Sequence, residues 1–89
     1  MKFHPGEIVR ANSGREKGKY FVVLSCDDRF LYLCDGKSRK FDSPKKKNMH
    51  HVSPAGADGE TVMTSITSGS SDKAIRRCIS DFKLESGIR

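Results

Sequence analysis

The sequence predicts a mainly β protein, a small β-barrel over residues 1–53 followed by a flexible linker (54–70) and a short C-terminal α-helix with its tail (71–89). Three observations predict it. The densest apolar runs, K-Y-F-V-V-L-S-C-D at 19–27 and F-L-Y-L-C-D at 30–35, are short, aromatic and β-branched, with only a turn between them. Turn signals punctuate the first half and no helical period falls between the strands, which argues against a βαβ arrangement. From Ser53 the composition shifts to Ser, Thr, Gly, Ala and Asp, and apolar residues then resume at helical spacing.

Taken in order, Pro5-Gly6 introduces a weakly alternating strand at 7–11 (E-I-V-R-A). Residues 12–18 form a loop in which Gly14 and Gly18 can supply positive φ. The strand at 19–27 is the strongest in the chain, Asp27-Asp28-Arg29 turns it, and 30–35 returns as the second arm of a hairpin. With that turn, Cys26 should face Leu31 and Cys34 should face Val23. Both arms are apolar on successive residues as well as alternate ones. This suits a barrel strand whose outer face is partly covered, and it leaves open which face points inward. Residues 48–52 (N-M-H-H-V) supply one more short strand. Over 71–84, Ser71 serves as N-cap, Asp72 favours the positive end of the dipole, and Ile75, Cys78, Ile79 and Phe82 make a narrow stripe that ends near Gly87. A helix of about 12 residues is marginal alone. It needs the barrel, a second copy or a partner to pack on.

Composition narrows the function classes. The chain has 89 residues, 35% of them apolar, a mean hydropathy of -0.61 and a net charge of +6. Residues 1–47 hold 12 Lys/Arg against 6 Asp/Glu, whereas 48–89 hold 5 of each, so the positive excess lies wholly in the first half. Concentrated positive charge is rewarded by a polyanionic partner. No apolar stretch approaches the roughly 20 residues of a membrane span. The N-terminus has no apolar h-region, so no signal peptide is read and the cytoplasm is the expected location. Cys26, Cys34 and Cys78 are odd in number and form no C-x-x-C pair, which points to reduced thiols rather than disulfides or zinc. His50 and His51 would face opposite sides of a strand, so they predict no metal site. No nucleophile–base pair, paired carboxylates or phosphate-cradling loop before a helix is found, so neither enzyme activity nor a cofactor is expected.

The informative run is V-R-A-N-S-G-R-E-K-G-K-Y-F-V-V, from Val9 to Val23. Gly14 and Gly18 allow a tight turn and close backbone approach, and Arg15, Lys17 and Lys19 then project towards phosphates. Further on, the window 37–47 carries six cations and one anion. Of these, Lys37, Arg39, Lys40, Lys45, Lys46 and Lys47 are read as phosphate contacts, with Pro44 stiffening the run. Phe41, lying between them, either stacks on a base or pins the loop to the core. Tyr20 and Tyr32 on the hairpin arms are read first as packing residues.

This run resembles the KOW motif, in which a strand ends in a small-Gly-basic-acidic-basic-Gly-Lys loop and a second apolar strand follows; Val9, Ser13, Gly14, Arg15, Glu16, Lys17, Gly18, Lys19 and Val23 match it. The likeness extends from residue 5 to about residue 54, through D-D-R-F-L-Y-L-C-D-G, the P-K-K-K run and H-H-V-S-P. It is similar to a KOW subfamily that contains the fourteenth eukaryotic-type large-subunit ribosomal protein and its short bacterial relatives, described as KOW-domain RNA-binding proteins. The resemblance implies an SH3-like barrel and association with ribosomes or translation. It also implies contact with structured RNA, ribosomal RNA first, through the loop and the basic segment. The expected RNA-binding residues are Arg10, Ser13, Gly14, Arg15, Lys17, Gly18, Lys19, Lys37, Arg39, Lys40, Lys45, Lys46 and Lys47. The chain beyond Ser53 lies outside the likeness. Some KOW barrels bind protein, so the alternative is a protein-interaction module of a transcription or translation complex, docking through the hairpin face or the C-terminal helix.

Overall fold

The computed structural model describes residues 3–56, 63–64 and 71–87. Strands β1 (Ile8–Ala11), β2 (Tyr20–Cys26), β3 (Phe30–Cys34), β4 (Lys45–Asn48) and β5 (Val52–Gly56) form one antiparallel sheet in the order β4-β3-β2-β1-β5. One turn of 3-10 helix, Met49–His51, joins β4 to β5, and helix α1 spans Ser71–Glu85. The fold is mainly β with a C-terminal helix, as the sequence predicts.

Double-sided apolarity in the central strands produces two cores. Val9, Ala11, Phe21, Val23, Leu31, Leu33 and Val52 share one face with Phe3 and the half-buried Met49. Most of these side chains are completely inaccessible to water. Among the described residues no second layer covers this face. Burial so complete therefore requires the sheet to curl over itself, as a small barrel does. The alternate residues Ile8, Val22 and Cys34 look outward and meet Ile75 and Ile79 of α1, with Tyr20, Leu24, Ala74, Cys78 and Phe82 packed at the margin. Helix α1 thus covers the outer face of β1–β3, and its narrow stripe is used on the barrel rather than offered to a partner. Burying each of the two isoleucines is worth about 2 kcal/mol.

The β2–β3 register departs from the sequence expectation at one point. Cys26 does face Leu31, but Cys34 faces Val22 and Val23 faces Leu33, because a bulge between Val23 and Ser25 leaves Leu24 without a cross-strand partner. The extra residue keeps Leu24 half-buried beside the helix and turns Ser25 and Cys26 to solvent. All three cysteines are free.

The expected strand at 48–52 is a correction. Asn48 ends β4 and its side-chain oxygen accepts from the His50 N–H at 2.9 Å, which draws Met49–His51 into a turn; Val52 then opens β5. The lysine run before it is the strand. Lys47 points inward opposite Leu31, its stem buried and its ammonium reaching out to Ser13, while Lys46 points outward with Nζ 4.3 Å from the centroid of the Phe30 ring. Strand β5 runs three residues past the expected linker boundary at 53. Of the rest of the expected linker, only Met63 and Thr64 are among the described residues; 57–62 and 65–70 lie outside them.

Helix α1 is fastened to the loop after β3 at Gly36. This glycine has φ +77, and a side chain there would collide with the Asp72 carbonyl oxygen and with Cγ of Arg76. Arg76 NH1 donates to the Gly36 carbonyl at 2.6 Å, and the Phe41 N–H donates to Asp72 Oδ1 at 2.8 Å. Gly36→Ala is expected to lower the unfolding free energy by about 2–4 kcal/mol, combining left-handed strain with overpacking. Gly14→Ala meets only the Lys47 ammonium at 3.8 Å. It should cost about 1–2 kcal/mol, from strain alone. Urea titration of both variants checks the difference, and equal losses would show that the helix–loop contact is not close.

Candidate nucleic-acid interface

The loop between β1 and β2 is closed by its own backbone. Gly18 N–H donates to Ala11 O at 2.8 Å and Ala11 N–H to Lys19 O at 2.9 Å; inside, Lys17 N–H reaches Gly14 O and Lys19 N–H reaches Glu16 O at 3.2 and 3.0 Å. Gly14 and Gly18 hold φ of +79 and +89, so both are required for the turn itself. Neither approaches another segment's backbone: the nearest atoms to an added Cβ are the ends of Lys47 and Arg10, at 3.8 and 3.9 Å.

At the centre of the loop stands Glu16, only 8% exposed despite its charge. Its carboxylate meets Lys45 Nζ at 3.1 Å and Arg39 Nε at 3.5 Å. Burial alone would raise its pKa. The hydrogen bond and charge of Lys45, followed by those of Arg39, outweigh burial and hold the carboxyl below its usual range. A second tie runs beside it, from Lys47 Nζ to the Ser13 carbonyl at 3.2 Å. The loop after β1 and the start of β4, more than 30 residues apart in sequence, are therefore joined on one side of the barrel.

The loop that carries Arg39 is itself rigid. Asp35 Oδ1 accepts from the N–H groups of Lys37 and Arg39 at 2.9 Å each, and Oδ2 from the Ser38 hydroxyl at 3.2 Å. Burial would raise the Asp35 pKa, but these bonds and the charge of Lys19 bring it below the ordinary value. The geometry sorts the thirteen residues named from sequence. Arg10, Arg15, Lys17, Lys19, Lys37, Lys40 and Lys46 are exposed, Ser13 and Gly18 are half-buried, and Gly14 is exposed. Arg39 and Lys45 are half-buried and engaged by Glu16, and Lys47 is buried. Those three tie the surface together before they can touch anything else.

Phe41 packs against the helix-side core and its N–H is held by Asp72, so it pins the loop. Tyr32 is tied at the hairpin tip, its hydroxyl donating to Asp27 Oδ2 at 3.2 Å. Tyr20 packs against Phe82 with ring centroids 5.6 Å apart. Sequence reasoning missed Glu16 as an organiser, although one acid between two cations within a basic half was the available signal. Burial, then the charges of Asp72 and Asp35, push the Cys34 thiol up to about 12, which leaves it an unreactive packing group. Among the described residues no three His, Cys, Asp or Glu side chains cluster as metal ligands, and no helix is long and apolar enough to cross a membrane.

Glu16→Gln removes the shared anion of Arg39 and Lys45. Both cations keep part of their surface in water, so the expected loss at neutral pH is about 1 kcal/mol. Because the folded-state pKa is depressed, this contribution is present above the unfolded value near 4.5 and is lost as pH falls through the lower folded value. Thermal unfolding of the two proteins should therefore differ at pH 7 and converge in acid; a gap that persists in strong acid would place the effect elsewhere. No family model and no curated protein matches this sequence.

Proposed function

We propose that this protein is a non-catalytic binder of structured RNA, working in the cytoplasm at the ribosome or in translation. The observation that carries the reading is the joining of the two basic segments into one surface. Glu16 and the Lys47–Ser13 bond bring the loop of residues 12–19 together with β4 and the loop after β3. Exposed cations flank these ties along the chain, Arg10, Arg15, Lys17, Lys19, Lys37 and Lys40, while exposed Lys46 stands apart over the Phe30 ring. A surface of fixed shape and mobile charged ends suits the phosphates of a folded polynucleotide. An A-form duplex offers shape, phosphate and 2′-hydroxyls rather than a readable base code. The resemblance of residues 9–23 to the KOW motif supports the same class of partner, and ribosomal RNA within it.

The alternative, a protein-interaction barrel docking through α1, loses its main support, since Ile75 and Ile79 are buried against β1–β3. Digestion with ribonuclease separates the readings: partners that co-purify after digestion favour protein docking.

Arg15→Glu with Lys17→Glu should weaken binding to total cellular RNA by about 30-fold or more while leaving the circular dichroism spectrum unchanged. Wild-type affinity should fall by orders of magnitude between 50 and 200 mM salt, as counterion release requires. Unchanged affinity in the double variant, or binding indifferent to salt, would remove the phosphate-contact mechanism.

A further inference from the structure

Between the loop of residues 12–19 and helix α1 lies a cleft of about 450 Å³. Its size falls within the range of small-molecule sites, about 300–1,000 Å³. Gly18, Lys19 and Tyr20 form one side, Lys37 and Ser38 another, and Arg76, Ile79, Ser80 and Lys83 of α1 the third. Among the described residues the only acid in its lining is Asp35, and both of its oxygens already accept, from the N–H groups of Lys37 and Arg39 and from the Ser38 hydroxyl. Arg76 is held by the Gly36 carbonyl. No carboxylate among the described residues pairs with Lys19, Lys37 or Lys83. Lys19, which feels the charge of Asp35, thus joins Lys37 and Lys83, from three segments of the chain, around a recess whose walls include an aromatic ring and an isoleucine.

We propose that this cleft receives one unpaired nucleotide of the bound RNA, with its phosphate among Lys19, Lys37 and Lys83 and its base against Tyr20 and Ile79. The inference rests on the RNA-binding reading and adds a preference to it. A paired strand presents a convex ridge of phosphates and keeps its bases stacked inside, so it cannot fill a concave site with an apolar wall. A bulged or looped-out nucleotide can, and cation and ring are arranged to take its two halves. Lys83 Nζ lies 5.6 Å from the Tyr20 ring centroid, so ammonium and aromatic wall stand together. The cleft shares Gly18 and Lys19 with the loop, so a strand gripped there passes directly to it. Helix α1, beyond the part of the chain that resembles KOW proteins, thereby acquires a binding role as well as a packing one.

The test uses the whole chain and two RNA hairpins with the same stem, one fully paired and one carrying a single-nucleotide bulge, read by fluorescence anisotropy. Wild type should bind the bulged hairpin about tenfold more tightly, in line with the worth of one base against an aromatic wall. Lys83→Glu should lose that preference while retaining most of the affinity for the paired stem. Arg15→Glu with Lys17→Glu should weaken both hairpins together. Equal wild-type affinity for the two RNAs, or a preference that survives in the Lys83 variant, overturns the nucleotide site and leaves RNA binding standing. Wild type that binds neither hairpin overturns both.

Discussion

The carboxylate of Glu16 is the point at which three separate stretches of chain meet. It belongs to the loop after β1, Lys45 opens β4, and Arg39 closes the Asp35 loop. A lone anion in so shielded a position would be costly, and two cations that share it make the position tenable. The arrangement also explains how so basic a half of the chain folds against itself. One internal negative charge offsets the repulsion between segments, leaving Arg10, Arg15, Lys17, Lys19, Lys37 and Lys40 exposed. The Lys47–Ser13 bond acts beside it, tying the same loop to the same strand through a neutral acceptor.

Underneath that surface, the sheet has to be stable on two sides. Val9, Phe21, Val23, Leu31 and Leu33 fill the inside, and Ile8, Val22 and Cys34 would lie in water on the outside without α1. Helix and sheet are therefore one cooperative unit, and the helix backbone comes close enough at Gly36 that a side chain there would collide with it. The same docking that completes the core also places Arg76, Ser80 and Lys83 beside the loop of residues 12–19. Packing and charge placement are consequences of a single contact.

Much of this was legible in the sequence. The hairpin of β2 and β3 was marked by its aromatic and β-branched runs, the loop by Gly14 and Gly18, and α1 by the i, i+3, i+4, i+7 spacing of Ile75, Cys78, Ile79 and Phe82. The consecutive apolar residues even signalled an outer cover, though not what supplied it. Other features had no local mark. Lysines are poor advertisements for a strand, and β4 forms because their stems can lie along apolar neighbours while their charges escape. The bulge at Leu24 changes no residue type, only a count. Phe3 is buried at 6% exposure although it stands near the N-terminus, because it joins the inner-face cluster of Val9, Phe21 and Leu31. The importance of Gly36 exists only once α1 is in place.

Strand β2 has a consequence of its own. It runs from the cationic loop at one end to the Asp27-Asp28-Arg29 tip at the other, a span of about 20 Å. At that tip, N–H groups of Arg29 and Phe30 and the Tyr32 hydroxyl fix Asp27, and first among them the Arg29 N–H keeps its carboxyl below the ordinary range. Asp27 is therefore held as an anion at the tip, while Arg15, Lys17 and Lys19 stand exposed in the loop at the other end. One strand thus holds an acidic turn and a cationic loop apart along its own length.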